Sequence, residues 1–151
     1  FLGGASVNVT DDLAVTYITT FGDLGWIGDR GYTHSIVAVA DLTDDLQYVF
    51  QSDVVGVDNS INANGGHYDT IGINQYLFYN IMDGLRAGAR AEWWKGDGVS
   101  HYEVAFGLNI KPLPNVMIRP EVRHNWAPSD TLIGTPFEDQ TIGACDVIIT
   151  F

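Results

Sequence analysis

The chain is short of positive charge. Seven Lys and Arg stand against nineteen Asp and Glu, for a net charge of −12. Phosphate binding needs clustered cations, so nucleic acid is excluded as a partner, as is simple adhesion to anionic lipid. One cysteine, Cys145, excludes an internal disulfide and has no metal-ligating neighbour at useful spacing; it reads as a small apolar strand residue. No run of about 18 apolar residues exists, which excludes a membrane-spanning helix. The sequence also lacks an H-E-x-x-H pair, a G-x-S-x-G elbow and a phosphate-cradling loop. His34, His67, His101 and His124 are scattered. The glycine-rich stretch from Asn62 to Gly66 reads as a flexible loop, and the pairs Asp11-Asp12 and Asp44-Asp45 read as turns rather than cation sites. The expectation is therefore no cofactor, no metal and no enzymatic activity.

Charged residues are only 17% of the chain, against about 25% in an average soluble domain. Much of the surface is thus expected to meet something other than water. Hydrophobic residues make up 46%, spread in short runs as in a β-barrel wall or a β-sandwich. Compact turn signals recur: Thr10-Asp11-Asp12-Leu13 is nearly copied by Thr43-Asp44-Asp45-Leu46, and Met82-Asp83-Gly84 and Pro112-Leu113-Pro114 continue the series. Between them lie longer connections at 22–30, 56–68, 95–100 and 127–139, rich in Gly, Asp, Asn and Ser. This alternation of short turn and long loop is that of an up-and-down meander whose turns share one edge.

The strands are expected at 3–10, 13–22, 31–41, 46–55, 69–79, 85–95, 101–110, 116–126 and 139–151. Most run about 9–12 residues, the length of a tilted strand crossing a bilayer, whereas strands in globular proteins average nearer 5–6. Three strands have two clearly different faces, because successive side chains point oppositely. Leu85, Ala87, Ala89, Ala91 and Trp93 oppose Arg86, Arg90 and Glu92. Val104, Phe106 and Leu108 oppose Glu103 and Asn109. Ile118 and Val122 oppose Arg119, Glu121 and Arg123. The candidate pore-lining set is thus Arg86, Arg90, Glu92, Glu103, Arg119, Glu121 and Arg123, with at least one Arg–carboxylate contact between strands. A soluble barrel would turn the apolar faces inward, and a membrane barrel would turn them to lipid; periodicity alone leaves both open. Strand length and aromatics near strand ends, at Tyr79, Trp93, Tyr102, Trp126 and Phe151, favour lipid. Tyr32–Asp41 and Thr70–Asn80 are mixed on both faces and receive no side. Pro120 is expected to interrupt its ladder with a bulge or gap.

The last run, Asp146-Val147-Ile148-Ile149-Thr150-Phe151, has the pattern of a barrel's closing strand. The chain opens on Phe1 in the middle of a strand-like pattern. The expectation is one β-barrel domain over 1–151, the C-terminal part of a larger barrel whose N-terminal part is missing.

The segments Gly72–Tyr79, Ala87–Trp94, Tyr102–Asn109 and Pro112–Arg123 together resemble the outer-membrane β-barrel porins of the OmpL-like type, over about residues 30–151. The resemblance implies an all-β, antiparallel, up-and-down transmembrane barrel in the bacterial outer membrane. The implied function is a porin-like channel for passive diffusion of small hydrophilic solutes or ions, with membrane lipid as its surroundings. A soluble β-barrel binding a small apolar ligand, and an outer-membrane barrel with a structural or anchoring role, stand as alternatives. Oligomeric state is left open.

Overall fold

A computed structural model describes residues 1–24, 30–60, 66–96, 98–129, 131–132, 135–136 and 138–151. Eleven strands are β1 (Leu2–Thr10), β2 (Leu13–Asp23), β3 (Arg30–Asp41), β4 (Leu46–Ser60), β5 (Gly66–Met82), β6 (Leu85–Gly96), β7 (Val99–Leu113), β8 (Val116–Trp126), β9 (Thr131–Leu132), β10 (Thr135–Pro136) and β11 (Gln140–Ile149). Nine of them form one sheet in the order β1-β2-β3-β4-β5-β6-β7-β8-β11, every neighbouring pair antiparallel. There is no helix among the described residues. From β1 to β8 each strand pairs with the next in sequence, and β8 pairs with β11, β9 and β10 forming only a small separate pair within the last long connection. β1 and β11 are the sheet's two edges.

All the short turns lie on one edge. Backbone bonds tie each turn to the next hairpin: Asp41 N–H donates to Asp12, Asn80 to Asp45, Lys111 to Gly84 and Thr150 to Asn115, at 2.7–3.0 Å. Gly84 has φ 75°, in the left-handed region that favours glycine. A Cβ there would stand 3.0 Å from the Lys111 carbonyl oxygen. The strand ends that lead into the longer connections lie on the opposite edge, as the alternation of turns and loops predicts. Residues 25–29 and 61–65, and with them most of the glycine-rich loop, lie outside the described residues, as does the His67 side chain.

The strands are longer than their composition suggests at three places. β4, β5 and β7 have 15, 17 and 15 residues. Their hairpin ladders continue into the Gly-, Asp- and Asn-rich segments that read as loop. At Pro120 the register is unbroken, yet the β7–β8 ladder lapses between Gly107↔Glu121 and Ile110↔Ile118. Proline has no N–H to give, so the expected gap is present, while pairing to Cys145 on the other side holds. The register shift in this hairpin comes nearer the turn, between Ile110 and Leu113.

Directly paired residues share a face, so the register assigns every strand, including the two the sequence leaves unassigned. One face carries Val15 and Tyr17, then Ile36 and Ala38, Phe50 and Val54, Ile71 and Leu77, Ala87 and Ala91, Val104 and Phe106, Ile118 and Val122, and Val147 and Ile149. The other carries Ser6, Thr16 and Thr20, Thr33 and Ser35, Gln51 and Asp53, and Asn74, followed by the charged residues of β6, β7, β8 and β11. Only Ala105 and Ala127 are buried apolar residues among those described, while Phe106 is 60% and Val122 48% exposed. The apolar face encloses no core. Burying it would contribute roughly 25 cal/mol per Å², and within this sheet that contribution is not realised.

Candidate functional site: the charged face

On the charged face, the residues of β5 to β11 fall into cross-strand rows about 6.8 Å apart along the strands. Starting at the turn edge, the first row is Asn80, Arg86, Asn109, Arg119 and Asp146, and the second Phe78, Gly88, Gly107, Glu121 and Ala144. The third is Tyr76, Arg90, Ala105, Arg123 and Ile142, and the fourth Asn74, Glu92, Glu103, Asn125 and Gln140. Gly72, Trp94 and His101 follow. All seven candidate residues are therefore on one face, in rows that alternate basic and acidic.

The charges are partly neutralised by one another. Arg90 Nη2 donates to Glu103 Oε1 across β6 and β7, one row away. Glu103 directly opposes Glu92, a like-charge pairing that costs stability; the Arg90 guanidinium offsets it. Arg119 donates to Asp146 through Nε and Nη2, at 2.8 and 2.5 Å. Arg86 lies over the Phe78 ring, 4.5 Å from its centroid, and its Nη2 donates to Gln47 Oε1 at 2.9 Å. Gln47 Nε2 in turn donates to Asp41 Oδ1 at 2.8 Å. One polar chain thus runs from β6 over β5 to β4 and β3. Arg123 makes no hydrogen bond among the described residues, although its Nε is shielded from solvent.

Three cavities follow one another along this face. One of about 590 Å³ at the turn edge is bordered by Asn80, Arg86 and Lys111. The next, about 560 Å³, is bordered from β5 to β11 by Tyr76, Arg90, Arg119, Glu121 and Asp146. The third, about 310 Å³, is bordered by Glu92, Trp94, Glu103, Arg123 and Gln140. Ala105 on this face is buried while the adjacent Phe106 on the other is 60% exposed, and Arg86 reaches across β5 to Gln47, so the sheet curls toward the charged face and that face is concave. The apolar residues Val104, Phe106, Ile118 and Val122 are on the convex side.

The sequence misses Asp146, Gln47 and Asp41 as members of this network. Alternation with Val147 and Ile149 signals the side of Asp146; the reach of Arg86 across β5 leaves no signal in sequence. His34 and His124 lie on the apolar face, hydrogen-bonded to Tyr17 at 2.5 Å and Thr141 at 2.9 Å. Cys145 lies on the same face, opposite Pro120. Among the described residues no three His, Cys, Asp or Glu side chains gather as metal ligands.

The whole chain, residues 1–151, matches the model of the family described as "Putative beta-barrel porin-2, OmpL-like". No curated protein and no solved structure matches it.

Proposed function

Since this chain belongs to the family of OmpL-like β-barrel porins, we propose that it forms wall of an outer-membrane channel through which small hydrophilic solutes and ions diffuse passively. The observation that carries this reading is the segregation of faces in β6, β7 and β8, which the register extends to the neighbouring strands. A convex apolar face suits hydrocarbon, where an isolated Arg at the midplane costs roughly 2–4 kcal/mol. A concave face of paired charges suits a water-filled lumen. Trp93, Tyr102 and Trp126 form one row on the apolar side near the loop edge, where an aromatic belt meets the headgroups. Passage needs shape and field only, so no catalytic step and no cofactor enters. The soluble alternative, an apolar ligand inside the barrel, would need the apolar face on the concave side.

The native protein, extracted in detergent and inserted into planar bilayers, is expected to give stepwise ohmic conductance in potassium chloride. A bilayer that stays silent after verified insertion would leave an anchoring or structural barrel in place of the channel.

A further inference from the structure

We propose that the loop-edge cavity on the charged face is a binding subsite for a neutral saccharide; the proposal rests on the channel reading and names a solute class for it. The argument begins with an aromatic side chain on the wet face. Trp94 belongs by register to the row of Gly72 and His101. Gly72, directly opposite, is buried, and a Cβ there would come within 3.8 Å of Trp94 Cδ1. The indole thus leans over a glycine backbone, borders the cavity of about 310 Å³, and has the His101 ring 5.3 Å away.

The polar groups around that ring have unspent hydrogen-bonding capacity. Arg123, Glu92, Asn125 and Gln140 border the same cavity, and none makes a side-chain hydrogen bond among the described residues, whereas Glu103 is engaged by Arg90. Arg123 Nε is shielded from solvent without an acceptor, a state that costs free energy until an oxygen fills it. The cavity therefore offers one flat ring, free donors and free acceptors.

Charge narrows the ligand. A free anion would meet Glu92 and Glu103, and a free cation would meet Arg123. From β6 to β11 the opposing charges nearly balance, with Arg86, Arg90, Lys111, Arg119 and Arg123 against Glu92, Glu103, Glu121 and Asp146. A neutral molecule with an apolar C–H face for the indole, and hydroxyls that both donate and accept, meets every group present. The volume lies at the low end of small-molecule pockets, roughly 300–1,000 Å³, which suits a short segment of a chain passing through.

The test uses the native protein in planar bilayers and in detergent, with maltotriose and cellotriose as probes. Polyethylene glycol of equal mass and citrate serve as comparators. Either sugar is expected to interrupt the potassium chloride current and shift tryptophan fluorescence, with the comparators inert at equal concentration. Trp94→Leu is expected to weaken the sugar effect roughly tenfold or more, the factor that corresponds to about 1.4 kcal/mol. Trp94→Phe, which keeps a ring, should retain most of the effect. Conductance with no response to either sugar, a response matched by either comparator, or an unweakened Trp94→Leu would overturn the subsite and leave the channel standing. A sugar-dependent fluorescence shift in a protein that never conducts would keep the subsite and remove the channel.

Discussion

Arg119 of β8 holds Asp146 of β11 by two hydrogen bonds, Nε to Oδ1 at 2.8 Å and Nη2 to Oδ2 at 2.5 Å. The two residues are direct partners in the ladder, so the guanidinium fork lies along the pairing direction and ties β11 to β8. Both side chains are about half exposed, where solvent weakens such a pair. Arg90 and Glu103 are more shielded, at 28% and 13%.

Shielding sets the order of two mutations. Glu103→Ala is expected to destabilise the fold by on the order of 1 kcal/mol, since it removes the charge-assisted bond to Arg90, and relief of the opposition to Glu92 offsets this only in part. Asp146→Asn should shift the unfolding midpoint less. Urea titration of the detergent-folded protein measures both, and the reverse order would contradict the assignment of burial.

Gly84 and Gly143 should respond oppositely to alanine. At Gly84 the left-handed backbone and the nearby Lys111 carbonyl make a Cβ costly, by about 1–2 kcal/mol for the backbone alone. At Gly143, in β11, a Cβ would meet nothing within 4 Å, so stability should hold or rise slightly. The same titration tests the pair; equal effects would mean that the Gly84 turn is not set by its backbone angle.

These two glycines also show how far the sequence could be read. Asp83-Gly84 announces a turn because few residues tolerate that backbone, and the clean alternation in β6, β7 and β8 announces two faces. In β3 and β5 the apolar face carries His34 and Gln75 while the polar face carries Val37, Val39, Tyr76 and Phe78. No single strand there declares its side, and only pairing does: Asn74 faces Glu92, and Ser35 faces Asp53. The charged set was legible because Arg and Glu recur at even steps. The Asp41–Gln47–Arg86 chain was not, because its members are brought together across four strands. The β9–β10 pair leaves no signal either, since two-residue strands are too short for alternation to register.

Charge along the concave wall should set ion preference. Arginines supply four of the five cations on the wall from β6 to β11, so replacing Arg86, Arg90, Arg119 and Arg123 with glutamine leaves Lys111 alone against Glu92, Glu103, Glu121 and Asp146. Reversal-potential measurements across a potassium chloride gradient should then shift toward cation selectivity. An unchanged reversal potential would confine these arginines to bracing the wall.

The convex face makes a prediction about insertion. Phe106, 60% exposed near the middle of β7, should not tolerate Arg, at a cost of roughly 2–4 kcal/mol in a bilayer. Asn125→Arg on the concave face should insert almost normally. Folding yields into lipid vesicles compare the two; equal yields would argue that Phe106 does not face hydrocarbon.

The most direct measurement is the alternation itself. In a Cys145→Ala background, single cysteines at positions 102 to 109 of β7 can be probed in vesicles with a membrane-impermeant thiol reagent, and after spin labelling with lipid-soluble and water-soluble relaxation agents. Positions 103, 105, 107 and 109 are expected to react from water, and 102, 104, 106 and 108 to contact lipid. The opposite phase, or water access at all eight positions, would contradict a wall with its apolar face to the membrane and its charges to the lumen.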